Sequence, residues 1–361
     1  MRNRIVTGAF LIGIVIFLSG CVETRILDEL SITQGIGFDL ADDGKIIGTV
    51  VIPVYLKDRP PENDVVSGKA DLEKSIFQEL QQTLATPITT GSLEILIFGE
   101  KLAKEKGILD LMDPFQRDPT IGRTMRLAVV EGEVKDFFEG DYGVLGNAHY
   151  INNLIKTDVE NGNLPKTNFH RFLSDFESIG KTPYIPILKK EKKDEIDLKG
   201  VGFFRYGKIV HQISMNESFF FKLLVDKHSH GWQVVNSDGK KASIQSIKSK
   251  HKFRLTKPTP PYEVTVEINL EGIINEYTGD EKISHKSIEK LEKAFEKKIN
   301  EECLKLIEKF KELDIDPIGF GAFIKSADRK FDYKKWKDGG YKDLTVKIKA
   351  NAEIQEVGIV E

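Results

Sequence analysis

Leu93-Glu-Ile-Leu-Ile-Phe98 reads as a short buried strand, and what flanks it decides the fold class. Downstream, Lys101 to Met112 has helical spacing and Arg123 to Val134 reads as another strand. Upstream, Leu72, Ile76, Leu80 and Leu84 recur every fourth residue until Pro87 stops the helix. Strands alternating with helices predict mixed layers rather than an all-β sandwich. The pattern predicts a mixed α/β layer, and a chain of 361 residues predicts more than one domain.

Working outward, Ser31 to Asp39 and Ile46 to Leu56 predict two strands joined by an Asp42-Asp43-Gly44 turn. Pro53 predicts that the second is an edge strand or is bulged there. Gly35 and Gly37 begin a dinucleotide fingerprint, but Leu40 fills the third glycine position and no helix follows. Tight backbone geometry is their expected use. Lys57 to Asp71 reads as an exposed loop, and Asp136 to Ser178 as helix interrupted at Gly143, Gly146 and Asn161-Gly162. Lys181 to Leu188, with two prolines, must be extended. The charges of Lys189 to Asp197 nearly cancel, which predicts a solvated turn or interdomain linker. The main boundary is placed there, between an N-terminal domain at 31–188 and a C-terminal domain at 198–361.

In the second half, Leu198 to Ile213 predicts a hairpin turning at Tyr206-Gly207-Lys208. Ser214 to Asp226 predicts a helix carrying Phe219-Phe-Phe221 into a core. Trp232 to Asn236 and Tyr262 to Leu270 predict strands, with a proline-rich loop from Arg254 to Pro261. From Ser284 to Leu313, Ile288, Leu291, Phe295, Ile299, Cys303, Ile307 and Phe310 form one apolar stripe. This long helix is expected to lie across the C-terminal sheet, whose last strand is Leu344 to Ile354. Asp314 to Phe323 reads as a turn.

The start of the chain carries a different signal. Arg2 and Arg4 precede the apolar run Ile5 to Leu18, and no acidic residue occurs before Glu23. That run is too short for the ~20 residues of a membrane-spanning helix but suits an export signal. Leu18-Ser-Gly-Cys21 then forms a lipobox, so residues 1–20 read as a lipoprotein signal peptide. Cys21 is the expected lipid attachment site, and residues 21–30 a lipidated tether. The formal charge is −3, and loss of Arg2 and Arg4 leaves 51 bases against 56 acids, or −5. A weakly acidic body gains no general attraction to nucleic acid or anionic lipid, so acyl chains must supply the anchor. With Cys21 acylated, Cys303 has no disulfide partner and reads as a buried, inert thiol.

Signals for chemistry are sparse. His228-Ser-His230 lacks a third metal ligand nearby, and neither HExxH nor Gly-x-Ser-x-Gly occurs. No catalytic, cofactor-binding or metal-ligating residue is assigned.

The lipobox is followed in order by Asp28-Glu-Leu30, Gly35-Ile-Gly-Phe-Asp39, Leu96-Ile-Phe-Gly-Glu100, Arg117-Asp-Pro119 and Leu127-Ala-Val-Val130. Then come Pro183-Tyr-Ile-Pro186, the Gly200 to Val210 hairpin and Asp316-Pro-Ile-Gly-Phe-Gly321. This ordered set resembles the Ger(x)C family, the C subunits of spore germinant receptors. Val22-Glu23 stands where members usually have Trp-Asp, which puts in doubt any membrane contact of that tryptophan. The resemblance implies an α+β, multidomain protein with mixed sheets and packed helices, a non-enzymatic lipoprotein with palmitate-type acyl chains on the outer face of the spore inner membrane. It would work beside two integral-membrane subunits, A and B, that sense nutrients. The alternative expectation is an extracellular solute-binding lipoprotein with its ligand held between two domains.

Overall fold

The computed structural model describes residues 31–355 apart from 56, 73–74, 123 and 280–282. Its largest element is an eight-stranded mixed sheet in the order β10-β9-β8-β7-β6-β2-β3-β4. Here β2 is Gly35–Leu40, β3 Ile46–Val54, β4 Glu62–Ala70, β6 Ile95–Gly99 and β7 Arg126–Glu131. The remaining strands are β8 Tyr184–Lys192, β9 Glu195–Arg205 and β10 Lys208–Ser214. Strands β2, β6, β7 and β8 run parallel, and antiparallel hairpin strands flank them on both sides. A short parallel pair, β1 (Ser31–Ile32) with β5 (Ile88–Thr89), stands apart from it.

Both faces of this sheet are covered, as a parallel centre requires. On one face lie α1 (Ile76–Thr83), α2 (Glu100–Glu105), α3 (Leu109–Arg117) and α6 (Phe169–Glu177), around Phe38, Phe98, Phe115 and Phe172. The helix expected from Lys101 to Met112 is thus two helices. The break is at Gly107, whose φ of +103° ends α2 while Ile108 N–H bonds Gly207 O at 3.0 Å. On the other face lie α4 (Val134–Phe138), α5 (Asn147–Asn161) and α7 (Met215–Val225).

Helix α7 opens with a reciprocal capping box between Ser214 and Glu217, and it buries Phe219, Phe220 and Phe221. It joins the first sheet to a second one of four strands, ordered β11-β12-β13-β14. These are Gly231–Ser237, Lys240–Lys257, Glu263–Tyr277 and Thr345–Gln355. The long helix α8, His285–Glu312, starts at the Ser284 N-cap and buries the predicted stripe from Ile288 to Phe310. Phe310 meets Phe203 of β9 at 4.8 Å between ring centroids and Phe221 of α7 at 5.8 Å. One apolar core therefore runs from the first sheet through α7 to α8 and the second sheet.

Several expectations need correction. Lys57 to Asp71 is largely strand β4, and β12 fills most of a stretch the sequence left unassigned. Strand β4 is polar and lacks the apolar alternation that marks a half-buried strand, and in β12 the alternating pairs Ala242–Ile244 and Phe253–Leu255 are separated by a polar stretch and a register shift at Ser246/Lys248. Strand β3 is interior, lying between β2 and β4. Its pairing with β2 ends at Val51, however, so Pro53 opposes only Asn63 of β4 and costs no second ladder. Asp314 to Phe323 turns as expected and then enters α9, Phe320–Ala327. Residues 189–197 are the far end of the β8–β9 hairpin, with Lys189 opposite Asp197.

Candidate functional site

The motifs quoted above converge on two places. The first is the junction between the two halves of the chain. Asp316 accepts the backbone N–H groups of Gly319, Phe320 and Gly321 at 2.8, 3.0 and 2.7 Å, fixing the first turn of α9. Its own N–H donates to Thr182 Oγ1 at 2.9 Å, and Thr182 N–H returns a 2.9 Å bond to Asp316 O. Gly319 sits at φ +86°, and a Cβ on Gly180 would fall 2.7 Å from Gly321 Cα. The glycines of this motif permit backbone-to-backbone contact. Burial raises the Asp316 carboxyl to about 6, against the lowering effect of its three N–H donors.

A cleft of ≈ 260 Å³ opens beside this junction, with Lys181, Arg205, Tyr206, Asp314, Trp336 and Tyr341 among its walls. Lys181, Arg205 and Asp314 are already engaged. Arg205 binds Asp314 at 2.8 Å and the Leu313 carbonyl at 3.3 Å, and Lys181 binds Asp175 at 3.0 Å. The groups that would bind a ligand are instead tied up in local structure, while the bonds that cross between the halves are those of Asp316 with Thr182.

The second place is the carboxyl end of the parallel strands, where open α/β sheets usually bind ligands. Asp39 Oδ2 accepts the Val134 N–H at 2.9 Å at the start of α4. The absence of side chains at Gly37 and Gly99 makes room for Val134 and for Asp39 itself. Burial pushes the Asp39 carboxyl up to about 7. Gly35 and Gly37 thus serve close packing, as expected from the failed fingerprint.

Sequence reasoning missed the buried ions behind α7. Lys222, 1 % exposed, donates to the Val159 and Gly162 carbonyls at 2.8 and 2.7 Å, closing the C-terminus of α5. Burial lowers it to about 8. Asp226 accepts the Lys166 N–H at 3.1 Å, with Arg171 3.8 Å away. A lysine and an aspartate on a helix carry no sequence mark of burial, because only the tertiary fold brings the α5 carbonyls to them. Elsewhere, His228 and His230 lie exposed on a loop, and Cys303 is buried with its thiol raised by burial. Among the described residues there is no cluster of three metal-ligating side chains and no helix long and apolar enough to cross a membrane. Cys21, the signal peptide at 1–20 and the tether at 21–30 lie outside the described residues.

Fold and junction define an α+β protein of two interlocked regions whose shared motifs bind the regions to each other. Comparison with known proteins gives the family. The spore germination protein N-terminal domain matches residues 23–190, and the spore germination B3/GerAC-like C-terminal domain matches 199–358. Spore germination protein GerQC of Bacillus cereus is 28% identical over 96% of this chain and 97% of its own. Spore germination protein KC of Bacillus subtilis is 26% identical over 96% and 94%. The crystal structure of the GerBC protein superposes with a TM-score of 0.59 at 19% identity, covering 89% of this chain and 96% of that one. The chain belongs to the GerAC family of spore germination proteins, the C subunits of germinant receptors.

Proposed function

We propose that this protein is the lipid-anchored C subunit of a nutrient germinant receptor, held by acyl chains on Cys21 at the outer face of the spore inner membrane. There it works beside the integral-membrane A and B subunits as a non-enzymatic assembly or signalling part. The observation that carries this reading is the match of both family models, in order, behind the lipobox at Leu18 to Cys21. The engagement of the buried ions in structural bonds supports a role without catalysis. We further propose two domains, 31–188 and 198–361, with β9 and β10 of the second completing the sheet of the first.

Acylation has a direct test. Cys21→Ala is expected to move the protein from the membrane to the soluble fraction and to reduce germination through its receptor at least tenfold, since alanine offers no sulfur to acylate and nothing else supplies the buried methylenes. Unimpaired nutrient-triggered germination in that strain would count against the proposal. The rival reading, capture of a small solute, draws on the cleft at the junction. Its main ionic groups, Lys181 and Arg205, are already paired with Asp175 and Asp314, which favours the assembly role.

A further inference from the structure

The second sheet has one face on α7 and α8 and one face in solvent. Strand register decides which residues share the solvent face. Three successive rows across β12, β13 and β14 are Arg254–Thr265–Lys347, Lys252–Glu267–Lys349 and Lys250–Asn269–Asn351. All five bases in these rows are exposed, and they flank a single carboxylate. Arg254 engages that carboxylate, Glu267, at 2.6 Å, and Lys347 reaches Glu263 in the next row at 2.8 Å. Lys250, Lys252 and Lys349 have no ion pair among the described residues. A chain that is acidic overall has collected a basic field on three rows of one sheet face, bounded by the next row, Lys248–Glu271–Glu353, with its two carboxylates.

The same face carries an apolar corner. Trp232 lies opposite Gln245, which lies opposite Ile273, and Val234 occupies the same side of β11 two residues on. Trp232 is 54% exposed, Val234 42% and the neighbouring Ile247 37%. Trp232 and Val234 alternate with the buried Gln233 and Val235, so they belong to the solvent side together with the lysines.

We propose that this face docks on an anionic lipid bilayer, its lysines among the headgroup phosphates and its Trp232 corner in the interfacial layer. The placing of charge at the centre of this face and of its apolar residues at one corner favours a bilayer over a folded protein partner, whose contact would need an apolar buried centre. Lysine rather than arginine supplies the unpaired charge, a point charge on a flexible stem suited to mobile headgroups rather than fixed bidentate contacts. Exposed tryptophan beside lysine is the residue pair that interfacial surfaces favour. Whole-chain charge predicts no attraction to anionic lipid. Register overrides that inference by separating the charges in space.

The proposal takes its setting from the membrane anchoring proposed above, and the test separates the two. The purified full chain is partitioned between buffer and vesicles of phosphatidylcholine, alone or with about 30 % phosphatidylglycerol. Binding to the neutral vesicles reads the anchor; the ratio of anionic to neutral binding reads the face. That ratio is expected to fall about a hundredfold in the triple variant Lys250→Gln, Lys252→Gln, Lys349→Gln, at roughly fivefold per lysine, and to collapse in about 0.5 M salt. An unchanged thermal transition in that variant confirms its fold. Trp336 is buried, so a blue shift of tryptophan emission on anionic vesicles is expected to come from Trp232 and to vanish in Trp232→Phe. A triple variant with the wild-type ratio, or wild type without lipid preference, would overturn the proposal. Retention on polyglutamate beads but not on anionic vesicles would also overturn it, in favour of an acidic polypeptide. Loss of neutral-vesicle binding alone would sink only the anchor.

Discussion

Asp39 combines a hydrogen bond that favours its ionised form with burial that favours its neutral form, and burial wins. Its carboxyl holds a proton up to about pH 7 in the folded chain, whereas an unfolded aspartate releases it near 3.8. Between those values the native state binds more protons than the unfolded one. The stability contribution is therefore complete below about pH 4 and is lost as pH rises through about 7. Asp39→Asn keeps an acceptor for Val134 N–H and cannot ionise. Relative to wild type it is expected to be more stable at pH 8 than at pH 4 by roughly 1–3 kcal/mol, measured by urea unfolding at both values. A difference independent of pH would refute the assignment. Nothing in Gly-Ile-Gly-Phe-Asp39 announces a buried acid. Its burial depends on α4 arriving from residue 134, far along the chain.

At the scale of elements, α8 does two jobs. Its apolar stripe covers the second sheet, and its polar flank closes the exposed edge of β14. Asn300, Glu296 and Glu292 accept the N–H groups of Ala350, Ala352 and Ile354 at 3.1, 3.0 and 2.8 Å. The three acceptors are spaced four residues apart on the helix, and the three donors two apart on the strand. Both spacings are close to 6 Å, which matches one ladder to the other. An open strand edge invites pairing with other chains, and this flank blocks it. Replacing all three acceptors with alanine is expected to cost about 1 kcal/mol per lost bond and to speed amide exchange at the three donors. Unaltered exchange there would rule out the edge-closing role. The stripe was legible because helical periodicity is local. The edge contact was not, since Asn300, Glu296 and Glu292 look like any solvated helix face.

For the molecule as a whole, the division of the sequence and the division of the sheet do not coincide. The two family models meet between residues 190 and 199, inside the β8–β9 hairpin, and β9 and β10 complete the first sheet. Phe203, Phe221 and Phe310 then join that sheet to α8 through a single core. Removing everything after residue 190 would leave β8 as a bare edge and uncover Tyr184 and Leu188. Such a fragment is expected to aggregate, while the intact chain unfolds in one cooperative calorimetric transition. Two well-separated transitions would disprove the shared core.

The sequence alone determined what depends on near neighbours: the α8 stripe with its Ser284 cap, the Tyr206-Gly207 hairpin, the buried Cys303 and the ordered family motifs. Each follows from periodicity, turn chemistry or spacing along the chain, which act over a few residues. Tertiary structure alone decided that β4 and β12 are strands, that Lys222 and Asp39 are buried, and that an acidic chain presents a basic face. Those outcomes depend on which strand lies beside which, and at what register. Register is set by packing between residues far apart in sequence, and no local pattern encodes it.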